Sequence, residues 1–432
     1  VWECSSFVST LKEIFRMNKK LIALAVAGAL AAPVIASAQG TNVTIFGRVQ
    51  QEYSGVDNGH TQYQGSLNDN ARSSRWGLQI AEDLGRGLKA IARVEQGMNT
   101  GSGSASTPRE QWVGLSSAQW GDVKFGRVQS PFKDFAGGMT IDPFAYTTLQ
   151  ANGAGGTMTG SANGMGSGAN TFVNGALRFD SVQADGFSFA GLLMPSNANN
   201  MDPLQNANNF SSVWGGGGGN TGGASGEFDG QAAAKYAGNY MGHAYTVFGG
   251  YSRDNSSAAQ KAVGIQAEET WRAGGTWKYE NLQLVGQYER VNNAIGAATC
   301  SSAAALASNP LVASSGQCNS AMNTGGSGNI WHVGTNYQWG NTQLVAQGGQ
   351  ATANATGSAN SHESKSFTVG AIHALSKRTS IFGGYQRVSQ GGAGASAPSV
   401  SGDPTIGTSG ISSGSYLAGN RNTWTMGLRH SF

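Results

Sequence analysis

The chain ends in Asn422-Thr-Trp-Thr-Met-Gly-Leu-Arg-His-Ser-Phe432. Successive side chains of a strand point to opposite faces. Trp424, Met426, Leu428, His430 and Phe432 therefore share one face, and Thr423, Thr425, Gly427, Arg429 and Ser431 the other. One face is mainly apolar and the other is small or polar. A soluble sheet alternates this way when one side is covered. A barrel in lipid must do so, because hydrocarbon meets its outside and water its inside. The tail decides the fold only if the rest of the chain repeats it often enough to close a ring.

The repeats are there. Alternating stretches run over 43–53, 73–81, 88–97, 109–116, 123–129, 175–180, 187–194, 230–240, 244–253, 270–279, 283–291, 330–338, 342–350, 366–374 and 380–389. The terminal strand makes about sixteen. Tight turns such as Met241-Gly242-His243 and Glu280-Asn281 alternate with long connections rich in Gly, Asn, Ser and Ala. In an up-and-down barrel this places all tight turns at one end and all long loops at the other. The reading is an all-β, antiparallel transmembrane barrel with short periplasmic turns and long external loops. Lipid cannot satisfy an open sheet edge, so the first strand is expected to pair with the last. Trp76, Trp112, Trp120, Trp277, Tyr279, Trp331, Tyr337, Trp339 and Trp424 lie towards strand ends, as aromatic girdles do. A soluble sandwich core is the competing reading for these aromatics.

The N-terminus reads as export. Met17-Asn18-Lys19-Lys20 is a basic start, Leu21 to Val34 an apolar run, and Ala36-Ser37-Ala38 a small-residue cleavage site, the three parts of a secretory signal. A membrane anchor competes with this, but the run is shorter than the ~20 residues a span needs. Residues 1–16 have no export logic and read as an upstream extension, 17–38 as the signal peptide, and 39–432 as the barrel domain. Composition agrees. Only 12% of residues are charged and 66 are glycine, which suits many strands and polar turns. Disorder is the alternative for such a composition, and the regular recurrence of Trp, Tyr, Phe and Val argues against it. Taking Lys12, Arg16, Lys19 and Lys20 from 27 basic residues, and Glu3 and Glu13 from 24 acidic ones, leaves about +1. No basic tract marks a nucleic-acid partner.

Several segments resemble the trimeric general porins of β-proteobacteria, of the Neisseria and Burkholderia type. They are Val43-Thr-Ile-Phe-Gly, Ser74-Arg75-Trp76-Gly77-Leu78, Glu82-Asp-Leu-Gly-Arg-Gly-Leu-Lys-Ala90, Val113-Gly-Leu-Ser-Ser117, Gly121-Asp-Val-Lys-Phe-Gly-Arg127, Ala374-Leu-Ser-Lys-Arg-Thr379 and Met426 to Phe432. The resemblance runs the length of the expected mature chain and is most specific in its first third and last fifth. It implies a sixteen-stranded barrel in the Gram-negative outer membrane, a homotrimer, and passive diffusion of ions and small hydrophilic solutes. It also implies contact with outer-membrane lipid and lipopolysaccharide, and recognition of Phe432 by the assembly machinery.

In such porins the third long loop folds into the pore. Here it starts at Pro131 and runs to about Asn174, and its acidic residues are Asp134 and Asp142. Opposite it, Arg48, Arg75 and Arg93 lie on the polar faces of their strands, and Arg109 and Arg127 match lumen-facing positions of the family. Alternation around Val123 to Arg127 is itself ambiguous. Arg429 is also expected inside. Arginine stays charged at any relevant pH, and rings of it favour anions in a narrow pore. The expectation is a constriction of net positive charge with a moderate anion preference. A solvated or interface role remains the alternative for each arginine.

Cys300 and Cys318 lie in one exported loop and read most simply as a disulfide, worth about 3 kcal/mol on chain entropy. The six histidines show no metal-ligand spacing, and Gly215 to Gly219 is not followed by the Lys-Ser/Thr of a phosphate loop. No cofactor, metal or catalytic centre is expected. The competing functions are a substrate-selective channel, a surface receptor or adhesin, and an outer-membrane lipase, which would need a Ser-His pair near the lipid interface.

Overall fold

The computed structural model describes residues 41–57, 62–68, 73–98, 100, 108–153, 156–159, 172–195, 228–255, 266–294, 326–354, 361–391 and 420–432. The expected extension and signal peptide, the five-glycine run and the Cys300–Cys318 pair lie outside these residues.

The strands are β1 (Asn42–Asp57), β2 (Gln62–Asn68), β3 (Arg75–Gly85), β4 (Leu88–Gly97), β5 (Pro108–Ser117), β6 (Gly121–Gln129), β7 (Phe172–Ser181), β8 (Phe187–Pro195) and β9 (Phe228–Tyr240). They continue with β10 (His243–Asp254), β11 (Glu268–Tyr279), β12 (Leu282–Ala294), β13 (Gly326–Trp339), β14 (Thr342–Asn354), β15 (Ser361–Ala374), β16 (Thr379–Gly391) and β17 (Asn420–Ser431). From β3 to β17 each strand pairs antiparallel with the next. β1 closes the ring. Its first half pairs with β3, from Asn42↔Ala81 to Arg48↔Arg75. Its second half pairs with β17, from Arg48↔Ser431 to Asp57↔Asn422. The wall is thus a closed barrel of sixteen strands. β2 is additional. It lies in the first long connection and pairs with the far half of β1, from Glu52↔Asn68 to Asp57↔Gln62.

Side-chain polarity is the reverse of a soluble fold. The inner face buries Gln50, Glu52, Thr270, Gln347, Thr368, Gln386 and Thr425, while Ile45 is 66% exposed, Val247 59% and Met426 62%. Leaving such side chains in water forfeits about 1.5–3 kcal/mol each. Set against hydrocarbon, they complete the outer band that a membrane barrel needs. This excludes the soluble sandwich. Trp76, Trp331, Trp339 and Trp424 are exposed on the outside.

Trp112 departs from the girdle expectation. Val113 and Leu115 take the outer face of β5, so Trp112 points inward, where it packs with Val128, Val173, Ala176, Leu192 and Met194. Its indole N–H donates to Glu110 at 3.2 Å. Strand position alone cannot tell a girdle tryptophan from an interior one; the parity of its neighbours can.

The tight turns follow turn chemistry. Between β9 and β10, Met241 and Gly242 have φ of 50° and 82°, the two positive values of a two-residue hairpin turn.

Candidate functional site

The segment after β6 does not leave the barrel. It begins with a one-turn helix, α1 (Pro131–Asp134), and a short 3-10 turn at Gly138–Thr140. It then crosses the lumen along the inner wall. Apolar side chains seat it in steps. Ala136 and Ile141 pack with Ala233, Phe248 and Val285. Phe144 and Leu149 pack with Val345, and Met158 packs with Val291, Ile330 and Ala351. These contacts lie on β9, β10, β12, β13 and β14, five of the sixteen wall strands.

Polar anchors fix its register. Gln231 Oε1 accepts from Phe132 N at 2.6 Å, Gln287 Oε1 from Gly138 N at 2.8 Å, and Gln386 Nε2 donates to Leu149 O at 3.1 Å. The strongest anchor is Arg272 on β11. Its buried side chain meets Glu289 at 2.5 Å and donates to Ala136 O at 3.0 Å and to Phe132 O. Arg178 on β7 holds the other side of α1, reaching Asp134 at 2.8 Å and Asp180 at 2.7 Å. Asp134 is therefore ion-paired to the wall. Asp142 is buried inside the loop, accepting from the backbone N–H groups of Phe144 (2.9 Å), Ala151 (2.7 Å) and Asn152 (2.8 Å) and from Gln347 (3.1 Å). Asp142 acts as a staple of the loop's own turns.

The tip of the loop brings Tyr146 against the opposite wall, where the basic residues gather. Arg75 Cζ lies 4.5 Å from the centre of its ring, Arg109 5.5 Å and Arg48 5.7 Å. Arg429 donates to Gln50 at 2.7 Å and to Ala145 O at 3.1 Å. Arg48 and Arg75 are directly opposite across β1 and β3, a placement that like charges disfavour. The shared Tyr146 ring and a nearby carboxylate offset it.

That carboxylate is Glu95 on β4, unread in the sequence. It is 1% exposed and meets Arg93 at 2.5 Å, Arg75 at 3.6 Å and Arg109 at hydrogen-bond contact. Glu110 meets Arg93 at 2.9 Å. A bulge explains why Arg109 and Glu110 both face inward. Val94 pairs with Gln111 and Gln96 with Pro108, so two residues of β5 oppose the single Glu95. A second bulge lies on β7, where Asn174 and Gly175 oppose the single Arg127. Gly126 has φ of 133°, and pairing with β7 slips between Gly126 and Val128. Arg127 turns towards Asn174 and the Phe172 ring. Glu52, at the foot of the loop tip, accepts from Thr148 N at 2.9 Å and from Thr148 Oγ1 at 2.7 Å.

Arg48, Arg75, Arg93 and Arg109 thus stand along one side of the lumen with Arg429, and Lys133 joins them from the loop; Arg127 lies next to them at the Phe172 ring, on the strand face it shares with Phe125. Lys133 Nζ is 3.4 Å from the Phe172 ring centre and 6.0 Å from that of Tyr146. Glu52, Glu95 and Glu110 are the carboxylates set among these cations. The cluster keeps a surplus of positive charge. Burial pushes the Lys133 ammonium down to about 8, against the pull of Tyr146. Burial would raise the Tyr146 phenol, but Lys133, Arg75 and Arg109 outweigh it and bring it down to about 8. Among the described residues no group of His, Cys, Asp and Glu is arranged to hold a metal.

Comparison with known proteins matches residues 23–393 to the model of the Gram-negative porin family. An outer membrane porin protein of Bordetella pertussis is 32% identical over 157 residues, covering 32% of this chain and 39% of the relative. Outer membrane porin protein 32 of Delftia acidovorans is 40% identical over 121 residues, covering 27% of this chain and 33% of the relative. The matched stretches therefore span well under two-thirds of either relative. Among solved structures, the anion-selective porin from Comamonas acidovorans superposes with a TM-score of 0.60 at 17% identity, covering 91% of this chain and all of that one. Salmonella typhi OmpF superposes at 0.58 and 14% identity, covering 91% of this chain and 98% of its own. At these identities the likeness is one of fold.

Proposed function

Since the chain belongs to the Gram-negative porin family, we propose that it forms a water-filled channel through the outer membrane, open to passive diffusion of ions and small hydrophilic solutes with a moderate preference for anions. The observation that carries this reading is the pairing of a lumen-crossing loop with a basic wall. The loop narrows the passage, and the surplus of guanidinium charge at its tip biases which ions enter. Family membership favours a channel over the lipase reading.

Arg48, Arg75, Arg93, Arg109 and Arg127 form the basic side of the constriction in this proposal, and Arg429 and Lys133 extend it. Asp134 and Asp142 belong to the loop side, where they hold its shape. The working form is a homotrimer, seated in outer-membrane lipid with lipopolysaccharide around it and delivered by the assembly machinery through Phe432. Residues 17–38 act as an export signal, and a disulfide between Cys300 and Cys318 stiffens an external loop. Purified protein added to a planar bilayer is expected to insert with conductance steps in groups of three. Absence of conductance, together with specific binding of a surface ligand, would instead support a receptor.

Two further outcomes follow from the geometry. Arg272→Met leaves Glu289 buried without its partner, a loss of about 3–5 kcal/mol, and withdraws the donor from the loop carbonyls. Single-channel recording is expected to show a larger and noisier open state, because α1 is no longer tied to β11. The second outcome is pH dependence. Below about pH 7 Lys133 is cationic and Tyr146 neutral; above about pH 9 Lys133 is neutral and Tyr146 anionic. Both changes subtract positive charge from the constriction. Anion preference is therefore expected to fall as pH rises through 8, and Tyr146→Phe together with Lys133→Met is expected to flatten that dependence.

A further inference from the structure

We propose that the constriction also recognises planar aromatic carboxylates, a substrate class that rests on the channel reading above. Three aromatic rings from three separate elements are interleaved with the cations. Phe46 on β1 lies 4.2 Å from Arg93 Cζ. Tyr146 on the loop lies under Arg75 at 4.5 Å. Phe172 at the start of β7 takes Lys133 at 3.4 Å, Arg109 at 4.9 Å and Arg127 at 5.4 Å.

These rings differ from Phe248 and Phe382. Phe248 and Phe382 are each 5% exposed, and Phe248 supports the crossing loop. Phe46, Tyr146 and Phe172 are only partly buried and lie where the cations gather. Charge selection alone does not need them. The polar wall of β14 to β17, with Gln347, Thr368, Gln386, Thr423 and Thr425, shows what a merely aqueous lining uses here.

Chloride interacts with this surface through charge only. An arene carboxylate has two handles. Its carboxylate takes charge-assisted hydrogen bonds from guanidinium edges. Its ring stacks against the Phe46 and Phe172 rings, which a saturated ring of equal charge cannot do as well. The distinguishing quantity is thus the π face, at constant charge and nearly constant size.

The test compares benzoate with cyclohexanecarboxylate as blockers of chloride current through the native channel in a planar bilayer. The half-blocking concentration of benzoate is expected to be about threefold lower. In the double variant Phe46→Leu and Phe172→Leu the ratio is expected to fall to about one. Each channel serves as its own reference, so a change in pore charge cancels. Equal half-blocking concentrations in the native channel would overturn the proposal, and so would a ratio that survives the double variant. The native comparison decides by itself should the variant fail to assemble. The reversal potential in the same membranes keeps the two readings apart. A cation-preferring or non-conducting protein sinks the channel reading, whereas an anion-preferring channel with a ratio of one sinks only the aromatic site.

Discussion

Replacing Arg75 and Arg109 together with alanine is expected to cut the anion preference several-fold. Both guanidiniums stand at the Tyr146 ring, at 4.5 Å and 5.5 Å, and both contact Glu95. The double replacement removes two positive charges and leaves Glu95 to Arg93 alone. A unit charge about 5 Å from a passing ion is worth about 0.8 kcal/mol in water-like dielectric, roughly fourfold in local ion concentration. Two such charges set an upper limit of about sixteenfold, which salt near 0.1 M reduces to several-fold. Lysine at both positions keeps the charge and is expected to retain most of the preference. Retention of full anion preference by the alanine pair would remove these two arginines from the ion path.

The second large effect concerns the seam. Gly47 and Phe432 exchange backbone hydrogen bonds at 3.1 Å in both directions. A Cβ at Gly47 would lie 2.3 Å from Phe432 Cζ and 2.8 Å from the carbonyl oxygen of Arg75. The ring can swing aside, but the backbone oxygen cannot. Deleting Phe432 removes both bonds and the ring, a loss of roughly 3–5 kcal/mol from hydrogen bonding and apolar contact together. The yield of folded, heat-resistant barrel on a semi-native gel is expected to fall at least tenfold, and Gly47→Val to fall with it. Barrels that do assemble keep the inner face of β17, so their conductance is expected to match the native channel. Native yield from the truncated chain would show that Phe432 plays no part in assembly.

Most of the wall is legible in the sequence, because a strand's polarity repeats every two residues and a lipid barrel enforces that repeat. All sixteen wall strands fall where alternation put them. Three loop-side ends extend further than the alternation shows. β7 begins at Phe172 and not Gly175, β13 at Gly326 and not Ile330, and β15 at Ser361 and not Ser366. The ladder there needs only backbone groups, so Gly, Ser and Asn extend a strand while looking like loop. β2 was hidden for the same reason within the first long connection.

The site was legible in part. Strict alternation finds Arg48, Arg75 and Arg93. It cannot find Arg109 and Glu110 as inward neighbours, because a bulge breaks the parity of β5 there. Glu95 shares a face with Arg93, so its place was readable, but its role as the hub of three guanidiniums depends on cross-strand register. Tyr146 and Lys133 lie in a segment without periodicity, and only the docking of that segment brings them to the wall.

The most direct measurement is the reversal potential of the native channel across a gradient of KCl in a planar bilayer. A surplus of guanidinium charge around Tyr146 predicts a potential of the sign that chloride permeation sets, shrinking as salt screens the cluster. A potential of the sign set by potassium would contradict it.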